Sequence, residues 1–268
     1  WESDLSTDDY LFLFLNDNDY FTRWDSGQIL IRNIIKSRIK KQENRSLEVS
    51  FVNAIKQSIK NLASNDPFFL ATLLTLPGLS ELESLFSKVD PLTIYKDTLN
   101  FKVSIGVEIL EELRILTEKV LLNINQSWPM GKGERKLLAT IWSYLALAGD
   151  EQVKRNCVHS ICNSSMTIAR AALEALKPLD SNETKEASNL FYNIWKDNPV
   201  VLDSWFAYEA SRPSKQGIYI IEKLLSHSKF DWRAPNAIRA VIGGFSKNVE
   251  SFHSFDGQGY LFMAEQLI

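Results

Sequence analysis

The side chains best suited to metal or nucleophile chemistry in this 268-residue chain are three histidines, His159, His227 and His253, and two cysteines, Cys157 and Cys162. Each histidine is followed by serine. None lies in H-E-x-x-H, the helical spacing that puts two imidazoles on one face beside a general-base glutamate. Cys157, His159 and Cys162 sit close in sequence, but on a helix their spacing scatters them around the axis and no fourth ligand follows. Five residues of helix rise about 7.5 Å, beyond the ~7 Å between Cα atoms that a disulfide tolerates, so free thiols are expected. Asn16-Asp17-Asn18-Asp19 has the start of a calcium loop, yet Thr22 and Gln28 stand where that loop needs glycine and glutamate. There is no G-x-S-x-G elbow. Gly131-Lys132-Gly133 does not continue into a phosphate loop, and Gly257-Gln258-Gly259 is followed by Phe262 where a dinucleotide loop has its third glycine. No catalytic centre, metal site or cofactor site assembles from these residues.

One charged residue is well placed. Pro235 suits a first helical turn, and Ile238, Val241, Ile242 and Phe245 follow at i, i+3, i+4 and i+7, which marks a buried face. Arg239 lies roughly 110° from the centre of that face, at ~100° per residue. Gly243, one turn on, shares its stripe. A helical glycine is about 1 kcal/mol worse than alanine, so Gly243-Gly244 needs a reason. Close packing or helix ending is one; clearance for something Arg239 touches is the other. Asp256-Gly257 makes a turn, and Tyr260, Leu261, Ala264, Leu267 and Ile268 begin a second amphipathic helix. That helix lacks a closing Gly, Asn or basic turn, and Trp1 is no initiator, so the sequence reads as a piece of a longer protein truncated at its C-terminus.

Composition narrows the partners. A net charge of -3 gives no electrostatic reason to favour nucleic acid or an anionic membrane. No apolar run approaches the ~18 residues of a spanning helix, and no targeting segment is evident, so a cytoplasmic location is expected. The cluster Arg32, Lys36, Arg38, Lys40, Lys41 reads as a solvated helix end, where cations complement the dipole. Four N-x-S/T sequons, at Asn44, Asn125, Asn163 and Asn182, are within chance for so Asn-rich a chain.

The elements that would position these residues are helices throughout. A short helix ends near Leu15, and longer ones span about 20–41 and 47–63. Asp66-Pro67 and Asp90-Pro91 open two more, the second running to about Asn125, with a brief helix over 79–86 between them. Phe101, Val103, Ile105, Val107 and Ile109 alternate like a strand, but no partner strand is evident in the sequence and the segment is read as helix. Trp128 to Gly133 is the clearest break. Helix pairs follow: 133–148 with 150–161, 165–177 with 182–197, 199–210 with 214–226, and 235–246 with 257–268. They begin 32, 34 and 36 residues apart, a period that suits stacked helical hairpins. The expected fold is all-α, antiparallel helix pairs stacked into a superhelical, HEAT/armadillo-like bowl. It forms one domain over 1–268, an irregular bundle over 1–127 and a solenoid-like part over 133–268.

Several blocks together resemble a known family. DNDYFTRWDSGQ (17–28), LTLPGL (74–79), LFSKVDPLTIY (85–95), LDSWF (202–206), PNAIRAVIGGF (235–245) and FHSFDGQGYLF (252–262) are similar, in order, to the C-terminal helical domain of the zinc-dependent alanyl aminopeptidases, the aminopeptidase N family. The resemblance implies a multidomain enzyme whose missing catalytic domain binds zinc through HExxH and a distal glutamate, and the peptide N-terminus through G-x-M-E-N. It implies that the helical domain is non-catalytic, covers the active site and shapes access for peptide substrates. Its partners would be the other domains of the same polypeptide and the enclosed peptide. Arg239 matches an arginine that in the family faces the cavity, where its fork of donors could bind a peptide carbonyl or carboxylate. Ala237 stands where the family often has a second arginine, and the family's last helices lie past Ile268. The competing reading is a free-standing helical-repeat binding scaffold.

Overall fold

Capping residues set most helix starts. In the computed structural model, which describes residues 4–42, 44–88, 90–125 and 130–266, Ser6 caps α1 (Thr7–Asn16) in a reciprocal box with Asp9. Asp19, Asn44, Asp66 and Asp90 accept first-turn N–H groups of α2 (Tyr20–Ile39), α3 (Arg45–Leu62), α4 (Pro67–Leu73) and α6 (Pro91–Glu108). Between the last two lies α5 (Leu79–Glu83). The chain continues through α7 (Leu110–Asn123), α8 (Lys132–Leu147), α9 (Glu151–Asn163), α10 (Met166–Leu176), α11 (Asn182–Trp195) and α12 (Pro199–Ser211). It ends with α13 (Gly217–Leu225), α14 (Pro235–Phe245), α15 (Val249–Phe252) and α16 (Gln258–Glu265). No strand occurs among the described residues. Phe101, Ile105 and Ile109 are buried at i, i+4 and i+8 while Val107 is exposed, so the alternating stretch is helical with every second apolar residue inward.

The helices gather into two compact units, residues 1–150 and 151–268. In the first, Phe14, Phe51 and Phe101 form a buried ring ladder with centroids 5.6 and 6.4 Å apart, joining α1, α3 and α6. The Tyr144 hydroxyl donates to Leu74 O at 2.6 Å, which satisfies the one polar atom of a ring buried in the core. In the second unit α9, α10 and α11 pack on one another, α11 leads to α12, and α12, α13 and α14 close around a shared core. That core holds Leu202, Phe206, Ile221, Val241 and Phe245.

Three expectations change. The single helix over 90–125 is two, broken at Ile109, whose backbone leaves the helical region at φ -113, ψ 20. The bonds from Ile109 N to Ile105 O and from Leu113 N to Ile109 O persist, so the break is a kink that lets both α6 and α7 pack on α8. Residues 132–147, assigned from sequence to the helix pairs of the second half, pack on α4, α6 and α7 of the first unit. The basic cluster is only partly a solvated end: Arg32 reaches Glu81 at 2.8 Å and Arg38 reaches Glu48 at 2.6 Å, both on other helices. Of the Trp128–Gly133 break, residues 126–129 lie outside the described residues.

Candidate functional site

The stretch from Pro235 to Gln266 is built on α12. Val241 and Phe245 are fully buried in the shared core, and Ala237 and Gly244 complete the inward face of α14. Ile238 and Ile242, expected inward, are only half-buried. The helix is therefore turned relative to the sequence reading, because small residues at 237 and 244 let it sit closer to α12 than two isoleucines would. A Cβ on Gly244 would stand 2.9 Å from Ala210 Cβ and 3.3 Å from Ala207 O. One on Gly243 would meet only Arg239 Cγ, at 3.6 Å. Close packing accounts for Gly244 alone.

That rotation moves Arg239. Measured from the observed inward face, it lies roughly 175° away at ~100° per residue, opposite the core rather than at its margin. It is exposed, its stem passes over Gly243, and Nη1 donates to Asn236 Oδ1 at 3.2 Å. Ala237, at the position where the resembled family often has a second arginine, is 4% exposed and belongs to the core. The loop leading into α14 is held by an aromatic series in which Phe206 meets Phe230 and Phe230 meets Trp232, centroids 5.7 and 5.1 Å apart. His227 anchors the same loop. Its Nδ1 accepts from Lys229 N at 3.1 Å, so Nε2 carries the proton and donates to Tyr192 Oη at 3.1 Å. Burial, then the Lys229 charge, holds its pKa below the ordinary value.

The Asp256-Gly257 turn has a structural logic of its own. Gly257 takes φ 71 and starts α16, a conformation that L side chains rarely adopt. Asp256 Oδ1 accepts from Ser254 Oγ at 2.7 Å and Gln258 N at 3.1 Å, and these bonds keep its carboxyl below the usual range. A Cβ on Gly259 would overlap the carbonyl oxygens of Ser251 and Phe252. His253 Nδ1 and Tyr260 Oη are 2.6 Å apart. Tyr260, Leu261 and Ala264, expected inward, face solvent, while Phe262 packs on Phe245 at 5.2 Å and Met263 lies against the same core. Leu267 and Ile268 lie outside the described residues. The four-residue α15, capped by Asn248 and absent from the sequence reading, turns the chain back so that α16 can do this.

Among the described residues no three His, Cys, Asp or Glu side chains gather into a metal-holding group. The three histidines sit on separate elements, and those at 227 and 253 already spend ring nitrogens on Lys229, Tyr192 and Tyr260. This donor set does not fit zinc. Cys157 is a buried free thiol with its pKa pushed up to about 12 by burial, and Cys162 is an exposed free thiol.

Comparison with known proteins resolves the resemblance. A family model described as "Domain of unknown function (DUF3458_C) ARM repeats" matches residues 7–268. The chain belongs to this family. It is 28% identical over 272 residues to aminopeptidase N of Caulobacter vibrioides, covering 98% of the chain and 31% of that protein. It is 28% identical over 264 residues to aminopeptidase N of Escherichia coli K12, covering 96% and 30%. The crystal structure of Legionella pneumophila aminopeptidase A in complex with aspartic acid superposes with a TM-score of 0.86 at 25% identity, covering 98% of this chain and 32% of that one. The chain thus spans about a third of the length of the curated relatives it matches. The likeness to the C-terminal helical domain of aminopeptidase N-type enzymes, read from its motifs, is borne out, as are the all-α class and the helical-repeat character. No helix among the described residues is long and apolar enough to cross a membrane.

Proposed function

We propose that this chain is the non-catalytic helical domain of a zinc aminopeptidase that removes N-terminal residues from peptides. It covers the active site and limits which peptides enter. Zinc is held by residues of another domain of the same polypeptide, and the enzyme works in the cytoplasm. The observation that supports this reading is the family-model match over residues 7–268 together with the alignment of 98% of the chain to 31% of an aminopeptidase N. Arg239 is the residue proposed to meet the peptide. It is held away from the core, without a carboxylate partner among the described residues, and oriented by Asn236, so its remaining donors are open to a carbonyl or carboxylate.

Two experiments test this. The 268-residue chain alone should leave an alanyl anilide uncut with zinc present; hydrolysis abolished by a chelator would overturn the non-catalytic assignment. In the complete polypeptide, Arg239→Ala should lower kcat/KM for peptides roughly tenfold, the worth of one charge-assisted bond, and spare a single-residue anilide. Equal losses on both substrates would make Arg239 structural. A coding sequence with no HExxH upstream of Trp1 would favour a free-standing scaffold instead.

A further inference from the structure

A cleft in the first unit takes no part in the reading above. Between α3 and α6 lies a cavity of about 210 Å³ with an apolar floor formed by Val52, Phe101 and Ile105. Three of its wall charges, Arg38, Glu48 and Lys56, are neutralised in place. Arg38 donates from Nε and Nη2 to Glu48 at 2.8 and 2.6 Å, with its guanidinium 5.1 Å from the Phe101 ring centre. Lys56 Nζ is 3.4 Å from Glu112 Oε1.

Two lining charges remain, Arg45 and Glu108, both exposed and neither paired with another described residue. Their placement is ordered. Arg45 is the first residue of α3, on the side where Arg38 meets Phe101; Glu108 is the last residue of α6, one turn before the Lys56–Glu112 contact. From Phe101 to Glu108 the helix rises about 10 Å. The cleft is therefore positive at one end, negative at the other and apolar between. The amino end of α3 reinforces the positive end.

We propose that this cleft binds a short free peptide of two or three residues with apolar side chains, its carboxylate at Arg45 and its ammonium at Glu108. An extended chain advances about 3.3–3.6 Å per residue, so three residues match the ~10 Å rise of α6 from Phe101 to Glu108 along the apolar floor. A single amino acid, whose charges flank one carbon, cannot reach both. Guanidinium with carboxylate, and carboxylate with ammonium, are the charge-assisted pairs such a ligand completes. The inference stands on the cleft alone and does not require the peptidase reading.

The test is calorimetric titration of the 268-residue chain with Ala-Leu-Ala, its N-acetyl form and its C-terminal amide. The free tripeptide should bind one to one. Arg45→Ala and Glu108→Gln should each weaken it at least ~10-fold, and both residues are exposed, so folding is preserved. Acetylation should weaken binding to the wild-type chain but add nothing on Glu108→Gln; amidation should add nothing on Arg45→Ala. Absence of binding at millimolar peptide, equal binding of capped and free peptides, or leucine binding as tightly as the tripeptide would each overturn the assignment.

Discussion

Gly243 and Gly244 are neighbours, yet alanine at the two positions should move stability in opposite directions. At Gly244 the new Cβ would sit 2.9 Å from Ala210 Cβ, where carbon atoms prefer roughly 3.5–4.0 Å. Helix α14 must then retreat from α12 by more than half an ångström. That contact is the most extensive between helices of the second unit, and retreat loosens Val241 and Phe245 against Leu202 and Phe206. Overpacking of this kind costs about 1–3 kcal/mol, against which alanine's helix preference returns at most ~1 kcal/mol. The net expectation is a loss of up to about 2 kcal/mol. At Gly243 the new Cβ meets only Arg239 Cγ at 3.6 Å, an ordinary contact, so the helix preference stands nearly alone and the gain is about 0.5–1 kcal/mol. Urea unfolding followed by far-ultraviolet circular dichroism measures both. Shifts of the same sign would refute the packing argument.

Other outcomes follow from single contacts. Gly259→Ala should destabilise more than Gly244→Ala, because its Cβ would overlap the carbonyl oxygens of residues 251 and 252 far more deeply than one at Gly244 would crowd Ala210 Cβ at 2.9 Å; the same unfolding assay ranks them. His227 has a folded-state pKa below its ordinary 6.5, so its contribution is complete above that value and is lost as pH falls through the folded one. Acidification toward about pH 5 should lower the unfolding midpoint of the wild-type chain, and His227→Phe should flatten that slope. A neutral-pH maleimide should label Cys162 within minutes and spare Cys157 until denaturant is added, as read by intact mass.

Much of this architecture is legible in the sequence because caps and prolines are local signals. Asp66-Pro67, Asp90-Pro91 and Asn198-Pro199 each open a helix where the residues say one should open. The misses have non-local causes. Ile109 carries no breaker, and its kink exists because two consecutive helices share α8 as a packing surface. The face of α14 was read from its isoleucines, but the tight fit against Ala207 and Ala210 selects the face with alanine and glycine. The spacing sets Arg239 about 110° from the expected inward face, whereas the rotation that places it opposite the core depends on the partner helix α12. The Arg45–Glu108 cleft joins residues 63 positions apart, each unremarkable in its own helix.

The seam between α13 and α15 is written in one direction. Asn248 Oδ1 accepts from Ser214 N at 3.2 Å, and Ser251 Oγ accepts from Gly217 N at 2.8 Å while donating to Ser214 O. One side contributes side chains and the other only main chain. Substitution should therefore be unevenly tolerated: Lys215 and Gln216 can drift freely, since the latch never touches what distinguishes one residue from another there. Asn248 and Ser251 cannot, and Gly217 is fixed by the room Ser251 needs, 2.4 Å from where its Cβ would be. A library randomised over 214–217 and 248–251 should record that asymmetry as a map of which half of the seam holds information.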